Sequence, residues 1–368
     1  MSLLLSSITL ATVYVGLCVV LSQWAERKPE ADERHEVTTE DGWTLCLHRF
    51  LPHRERSDTR PLILGHGLMM NRASWQLCPE GSMIEALCDE GYDVFVAEYR
   101  GSRSSKAPTS VNGAAFWQYS VEEHAYQDLP AIINGVRAIT SSDKVHWIGH
   151  SMGGILIYLY GARFGSDHLA RVVTLGSPVV FTKLLGLGPV LARLFRRLTP
   201  WRKVFRARSA LACVLPFIAM FPFLVRIGIN PENLNVRARL TLVRGATEDI
   251  STQLADWFLM RIPANASASL LEGPEGNVLA SFHAPLLVVA GGQDRLAPPS
   301  AVHPAFSSAA STEKQYLVLD GRGLPEGAPV FGHSDMPSSP AAVRHLSPII
   351  VDWLQGKGSR GSDVYASR

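Results

Sequence analysis

The chain has 368 residues, which is enough for one large domain or two smaller ones. Its formal net charge is only +2, so the balance of charges gives no indication of nucleic acid as a partner. The five cysteines are scattered without a Cys-x-x-Cys pair or a Cys/His cluster, so the sequence predicts neither a metal site nor a disulfide framework. Charged residues make up only 18% of the chain, which favours a membrane association.

Residues 1–25 carry no charged side chain and are mainly apolar. About 20 such residues span the hydrocarbon core of a bilayer as a helix, and Trp24 stands where an interfacial aromatic would lie. We predict an N-terminal transmembrane anchor, favoured over a signal peptide because no Lys or Arg precedes the run and no clear cleavage site follows it. Arg27, Lys28 and Arg34 follow the run, which favours a cytoplasmic side for the catalytic domain, although acidic residues are interleaved with them.

After a polar linker at residues 26–35, apolar strands alternate with helical patterns. The first part of this core is predicted over residues 36–180 and the second over residues 283–355, followed by a disordered tail at residues 356–368. Asp41-Gly42 indicates a hairpin. A helix is predicted over residues 121–139, and Pro130 either begins a new segment there or kinks this helix. Further strands are predicted at residues 61–67, 92–99, 144–150, 172–176, 286–290 and 316–319, and further helices at 82–89, 152–164, 300–310 and 341–354. This alternation predicts an α/β fold whose mostly parallel sheet is covered by helices on both faces.

The insertion between the two parts, residues 181–282, has a different composition. From Phe181 to Leu240 there are eleven Lys and Arg residues against one acidic residue, Glu232. Over residues 191–206 apolar residues recur at helical spacing with Arg and Lys between them, which is a basic amphipathic pattern. The insertion is predicted to be a cap or lid. Two interpretations stay open, a cap that packs on the sheet with a solvated basic face and a surface that contacts an anionic bilayer.

The most specific motif is Gly149-His150-Ser151-Met152-Gly153. It follows the apolar segment 145–148 and leads into a helical pattern, which is the context of a nucleophile elbow. In such a turn, glycines let the strand and the helix pass closely and leave the serine hydroxyl exposed at the tip. The sequence therefore predicts that Ser151 is a nucleophile.

A serine nucleophile needs a general base, and the base needs an orienting carboxylate. Asp294 follows the apolar strand 286–290 and a Gly-Gly turn, and Asp320 after the next strand is the second candidate. In a doubly wound sheet, functional side chains lie at the carboxyl ends of the strands. Asp294 is therefore the predicted acid.

Three histidines lie downstream of that acid. His303 and His345 fall in helical patterns, whereas His333 lies in a glycine-flanked loop after the last strand. A loop residue on a rigid scaffold suits a base that must reach across a site, so His333 is the predicted base. The order Ser151, Asp294, His333 is that of the α/β hydrolases.

The oxyanion of a tetrahedral intermediate needs amide donors. One is predicted to be the amide of Met152, directly after the nucleophile. The other is predicted to be the amide of Leu68, in the loop that follows the strand ending at Gly65. His66 is interpreted as a residue that shapes this loop.

Several of these segments resemble the acid lipases of the gastric and lysosomal type. The similar segments are Val37-Thr38-Thr39-Glu40-Asp41-Gly42-Trp43-Thr44-Leu45, Gly65-His66-Gly67-Leu68, Tyr99-Arg100-Gly101-Ser102 and Asp128-Leu129-Pro130-Ala131. The match covers about residues 36–178 and, more loosely, 285–354. The resemblance implies an α/β-hydrolase fold, with a sheet of the eight-stranded type and a large cap. It also implies a Ser-Asp-His triad, no cofactor, and hydrolysis of esters in lipid-like substrates.

The chain departs from that family at three places. Those lipases usually carry Gln where this chain has Met152, and their histidine is usually followed by Leu-Asp rather than Ser334-Asp335. The insertion 181–282 aligns with nothing in them, so the acyl specificity stays open. A more distant resemblance to polyhydroxyalkanoate synthases is opposed by Ser151, because those enzymes carry cysteine in the elbow.

These observations predict a membrane-anchored serine ester hydrolase without metal or cofactor. Its expected partners are a lipid or other apolar ester and a membrane, contacted by the N-terminal helix and by the basic cap. Two alternatives stay open. One is acyl transfer or thioester hydrolysis by the same triad, and the other is a non-catalytic, membrane-tethered scaffold with a hydrolase-like fold.

Overall fold

The sheet at the centre of the molecule has eight strands in the order β1-β2-β4-β3-β5-β6-β11-β12. The structure is a computed structural model and describes residues 2–25, 30–77, 81–181, 203–261, 268–271, 276–322 and 327–357. The strands of this sheet are β1 (Glu33–Thr38), β2 (Thr44–Phe50), β3 (Leu62–Gly65), β4 (Val94–Glu98), β5 (Val145–His150), β6 (Leu169–Leu175), β11 (Leu286–Gly291) and β12 (Lys314–Leu319). Only the pairings of β2 with β1 and β4 are antiparallel, so the predicted mostly parallel α/β sheet is confirmed.

Helices cover both faces of the sheet, as predicted. One face is covered by α2 (Met83–Asp89), α11 (Pro340–His345) and α12 (Ser347–Leu354), and the other by α4 (Leu129–Thr140), α5 (Met152–Phe164) and α10 (Pro299–Ser308). Strand β3 shows the alternation, since Leu62 and Leu64 pack in one core and Ile63 packs in the other. All three are fully buried. Burial on both faces explains why the central strands are continuous apolar runs in the sequence.

Pro130 lies in a helix that a wider turn interrupts. The short α3 (Val121–Glu123) runs through a π-helical turn (His124–Asp128) into α4, with Pro130 in the first turn of α4. Proline lacks the N–H that a regular helix interior requires, and here it directly follows the π-helical turn, where the regular hydrogen-bond pattern is already interrupted. The predicted new segment at Pro130 is therefore present, without a separation of the two helices.

Two predicted boundaries are wrong. Strand β1 begins at Glu33, so the last three residues of the predicted linker belong to the sheet. Exposed and half-buried residues alternate along this edge strand, and its polar composition therefore resembles a linker. The closing helix is divided at Leu346 into α11 and α12, because Pro348 starts a new helix in its first turn. The predicted disordered tail lies outside the described residues from position 358 onward.

The described part of the cap is a set of short elements. They are β7 (Val180–Phe181), β8 (Val204–Phe205), α6 (Ala207–Ala212), α7 (Leu215–Met220), α8 (Val236–Leu240), β9 (Ile250–Ser251), α9 (Thr252–Arg261) and β10 (Ala268–Ser269). Strand β7 pairs with β10 and β8 with β9, both antiparallel. Residues 191–202, most of the predicted basic stripe, lie outside the described residues.

The N-terminal helix α1 (Ser2–Ala25) packs against cap helices α6, α7 and α8. Ala25 is fully buried in a small apolar core together with Leu215 and Leu240 of the cap. No helix in the described ranges is long and apolar enough to cross a membrane. The predicted transmembrane anchor is therefore not supported by the structure.

Candidate active site

Ser151 stands at the sharp turn between β5 and α5. Its backbone has φ +50° and ψ −112°, a conformation that L residues rarely adopt and that costs free energy. The turn is fixed by the Ser151 amide, which donates to the carbonyl oxygen of Leu175 at 2.9 Å. A Cβ atom on Gly149 would lie 2.5 Å from the backbone of Gly153, and one on Gly153 would lie 2.4 Å from the carbonyl oxygen of Gly65. Only glycine fits at both positions, as the elbow motif predicts.

Asp294 and His333 form a hydrogen-bonded pair at the carboxyl end of the sheet. His333 Nδ1 lies 2.6 Å from Asp294 Oδ2, and both side chains are buried. The other carboxylate oxygen accepts from the amides of Leu296 at 2.9 Å and Ala297 at 2.8 Å. The carboxylate is thus held from two sides, and it can fix Nδ1 of the imidazole as the protonated nitrogen, which leaves Nε2 as the acceptor.

The other acid and histidine candidates lie elsewhere. Asp320 accepts from the amide of Arg322 in the turn after β12. His303 of α10 packs against Phe306 of the same helix and Tyr316 of β12. His345 is the last residue of α11. Of the predicted candidates, the structure therefore brings Asp294 to His333.

The cap holds the loop that carries His333. The amides of His333 and Ser334 both donate to the carbonyl oxygen of Gly228, at 3.1 and 2.8 Å. The buried carboxylate of Asp335 accepts from the amides of Asn230 and Gly332, each at 3.0 Å. It also accepts from the side chain of Asn233 at 2.7 Å. Burial raises the pKa of Asp335 against the opposing effect of these hydrogen bonds.

Ser151 and His333 line one cavity of about 480 Å³ between the sheet and the cap. Leu68 of the predicted oxyanion loop lines it as well. The cap supplies an apolar wall that includes Phe181, Phe205, Ile250 and Phe258. The cavity thus joins a polar end at the serine to an apolar space that fits a hydrocarbon chain.

Leu68 and Met152, which carry the two predicted oxyanion amides, lie near Ser151. Met152 is the first residue of α5, and the first amides of a helix have no intrahelical acceptor and carry the positive end of its dipole. Leu68 follows Gly67, where a Cβ atom would lie 3.3 Å from Cβ of Ser151. The side chain of His66 is buried against Tyr99, and burial lowers its pKa to about 4, so it is a neutral residue that shapes the loop.

A buried polar cluster under the oxyanion loop was not found by sequence reasoning. The amide of Glu248 in the cap donates to the carbonyl oxygen of Met69 at 2.8 Å, and Asn71 donates to Glu248 Oε1 at 2.8 Å. Met69 has φ +59°, so this contact holds a strained residue of the loop. The amide of Arg72 donates to the fully buried Glu98 at 3.1 Å. Asn71 and Glu248 are 177 residues apart, so no local pattern marks them.

His150, directly before Ser151, contacts the loop that carries His333. Its ring Nε2 lies 3.1 Å from the carbonyl oxygen of His333, and the two rings are 4.8 Å apart. Burial lowers the pKa of His150 well below its ordinary value, so the ring is neutral and Nε2 carries the donated proton. In the sequence this residue stands out only as a member of the elbow motif, and no local pattern predicts its contact with His333.

The sheet order and the serine turn after β5 define an α/β hydrolase. The chain matches the alpha/beta hydrolase fold family over residues 60–323 and the partial alpha/beta-hydrolase lipase region over residues 31–78. The first match exceeds half of the chain, and the chain therefore belongs to the alpha/beta hydrolase fold family.

Curated relatives share part of this chain. Gastric triacylglycerol lipase from Rattus norvegicus is 37% identical over 129 residues, which is 33% of this chain and 32% of the relative. The lysosomal acid lipase/cholesteryl ester hydrolase from Homo sapiens has the same identity and coverage. Triacylglycerol lipase 2 from Arabidopsis thaliana is 28% identical over 44% of this chain and 41% of the relative. The chain thus spans well under half the length of these relatives.

Solved structures extend the likeness in fold to most of the chain. A thermophilic esterase from Thermogutta terrifontis has a TM-score of 0.58 at 19% identity, covering 88% of this chain and 99% of that one. A monoacylglycerol lipase from Paleococcus ferrophilus has a TM-score of 0.54 at 19% identity, covering 85% and 99%. At these identities the likeness concerns the fold alone.

The buried carboxyl of Glu98 generates a prediction about stability. Burial raises its pKa to about 7, with a smaller rise from Glu248 and opposing effects of Arg72 and Arg103. The contribution of the Glu98 carboxyl to the free energy of unfolding is largest below its ordinary pKa of 4.5. It is lost as the pH rises to about 7, because the carboxyl ionises more easily in the unfolded chain than in the fold. From pH 5 to pH 8 the free energy of unfolding should fall by on the order of 2 kcal/mol more in the wild type than in Glu98→Gln. Urea unfolding at both pH values measures this difference, and parallel pH dependences of the two proteins would contradict it.

Proposed function

We propose that this protein is a serine ester hydrolase that cleaves carboxylic esters of lipid-like substrates, with Ser151, His333 and Asp294 as its triad. The observation that carries the proposal is the buried hydrogen bond from His333 to Asp294, beside a cavity that His333 lines together with Ser151. The strained serine turn supports the nucleophile role.

In the proposed mechanism, Nε2 of His333 takes the proton of the Ser151 hydroxyl as its oxygen attacks the ester carbonyl carbon. The carbonyl oxygen becomes an oxyanion, and the amides of Leu68 and Met152 donate to it. When the intermediate collapses, the carbon–oxygen bond to the alcohol breaks and His333 gives its proton to the leaving oxygen. Asp294 stabilises the imidazolium formed between these steps.

The acyl-serine is released by water in the same manner. His333 removes a proton from the water as the water oxygen attacks the acyl carbon, and then returns a proton to the oxygen of Ser151. The reaction yields a carboxylic acid and restores the enzyme. None of these steps requires a metal or a cofactor.

The apolar cavity supports a lipid-like substrate. Its cap wall, with Phe181, Phe205 and Phe258, offers hydrocarbon contacts to an acyl chain. The relatives that match are described as triacylglycerol lipases and as a cholesteryl ester hydrolase, which agrees with such a substrate. Acyl transfer to an alcohol and thioester hydrolysis use the same triad, and product analysis with competing acceptors separates them from hydrolysis.

The nucleophile assignment predicts labelling by a serine-reactive fluorophosphonate. The probe should label the wild type and should not label Ser151→Ala, because the labelled oxygen is then absent. Ser334→Ala is the matched control, since Ser334 lines the same cavity, and it should be labelled like the wild type. In-gel fluorescence measures the labelling. Persistent labelling of Ser151→Ala would show that Ser151 is not the nucleophile.

The acid assignment predicts unequal effects at two aspartates. Asp294→Asn should lower kcat for p-nitrophenyl butyrate by roughly 10³-fold or more, because an amide at this position no longer fixes the imidazole tautomer. Asp320→Asn should retain activity close to the wild type, because Asp320 caps a turn instead. If the losses were reversed, Asp320 would be the acid.

The contact of His150 predicts a role in positioning. His150→Phe removes the donor to the carbonyl oxygen of His333 and keeps a ring of similar size, so kcat should fall about five- to tenfold with little change in KM. His150→Gln retains an N–H donor and should recover part of the loss. Equal kcat values for the Phe variant and the wild type would show that this hydrogen bond does not position the base.

A further inference from the structure

Helix α1 packs on the cap through one narrow stripe. Among the residues of α1 whose burial is described, Tyr14, Cys18, Leu21, Ser22 and Ala25 are partly or fully buried, and they recur at helical spacing. The ring of Tyr14 lies 6.0 Å from that of Phe217. The other side chains of α1 whose burial is described are exposed, and none of them is charged. The exposed apolar side chains among them offer a second apolar surface besides the stripe on which the helix packs.

The exposed sides of α1 continue into the cap. Leu10 of α1 is 72% exposed, and Met220 and Phe223 of the cap are 68% and 61% exposed. All but three of the large exposed apolar side chains in the described part of the chain lie in α1 or in cap residues 214–236. We call the exposed apolar side chains of α1 and of cap residues 214–236 the apolar face. The two elements are in contact through Tyr14 and Phe217, and an apolar surface of this extent marks a docking site.

Exposed arginines lie within and beside the described cap segment. Arg226 and Arg237 are exposed and directly precede or follow Ile227 and Val236 of the apolar face. The guanidinium of Arg237 lies 5.5 Å from the ring centre of Trp24, which places a cation and an interfacial aromatic side by side. Cationic and aromatic residues beside an apolar surface match the headgroups and acyl chains of an anionic bilayer.

The apolar face reaches the cavity that contains Ser151. Ile227 belongs to the face, and the next residue, Gly228, accepts the amides of the His333 loop. A Cβ atom on Gly228 would lie 2.9 Å from Leu296, which is 40% exposed and lines the cavity. The apolar face and the cavity therefore meet at Gly228 and Leu296.

We propose that α1 and cap residues 214–236 dock together on the surface of an anionic bilayer, with the apolar face inserted among the headgroups and upper acyl chains. The helix lies along the surface with the cap instead of crossing the bilayer. The docking itself goes beyond the proposed hydrolysis and does not require it. Delivery of an ester from the bilayer to Ser151 follows only where the proposed function also holds.

The test is flotation of the purified full chain with vesicles of phosphatidylcholine and phosphatidylserine. The wild type should float with these vesicles, and less with vesicles of phosphatidylcholine alone. Replacing Met220, Phe223 and Leu224 together by glutamate should lower the partition coefficient at least about tenfold, because three exposed apolar side chains become charged. Leu51→Glu combined with Phe164→Glu is the matched control, since both residues are exposed and lie outside the apolar face.

The melting temperature and the hydrolysis of p-nitrophenyl butyrate in solution report on the fold and the site. Both should be unchanged in the triple variant. Flotation of the triple variant equal to the wild type would overturn the proposal. A second result would also overturn it: a wild type that does not float but forms a dimer in sedimentation equilibrium, together with a triple variant that stays monomeric. Because flotation needs no catalysis, a failure of the proposed hydrolysis would appear separately, in the fluorophosphonate labelling.

Discussion

Close backbone packing between the elbow and strand β3 is the constraint on which the site depends. Gly153 lies so near the carbonyl oxygen of Gly65 that a Cβ atom would be 2.4 Å away. Since the oxyanion loop begins at the residue after Gly65, this contact places Leu68 beside Ser151. The turn at Ser151 also makes Met152 the first residue of α5. The close contact between the two backbones therefore positions both residues whose amides form the proposed oxyanion hole.

The cap contributes more than the walls of the cavity. Gly228 binds the backbone of the His333 loop, and Glu248 binds the oxyanion loop through Met69 and Asn71. The cap thus holds both the loop of the proposed base and the loop of the proposed amide donor Leu68. If the proposed function holds, a change of cap sequence would alter the geometry of the reaction as well as the fit of the acyl chain.

Sequence reasoning agrees with the structure in position where the signal is local. The turn around Ser151 is a contiguous motif, and Asp294 follows an apolar strand and a glycine turn, so the strand-end positions of both could be predicted without knowledge of the fold. The contact of His150 with His333 joins residues 183 positions apart, and neither residue type predicts it. The buried Glu98 likewise has no signature, because a carboxylate in a strand end reads as a surface residue until its surroundings are known.

The N-terminal segment shows a second limit of prediction from the sequence. Hydropathy measures how strongly residues 2–25 avoid water, but it does not say which apolar environment receives them. In the structure Leu21 and Ala25 pack with Leu215 and Leu240 of the cap, so α1 contributes to a core as well as to an exposed surface. Removing the helix would expose that core and disturb the cap segment whose Gly228 holds the His333 loop. The helix is therefore a structural part of the cap, and a shortened chain would change the site as well as the surface.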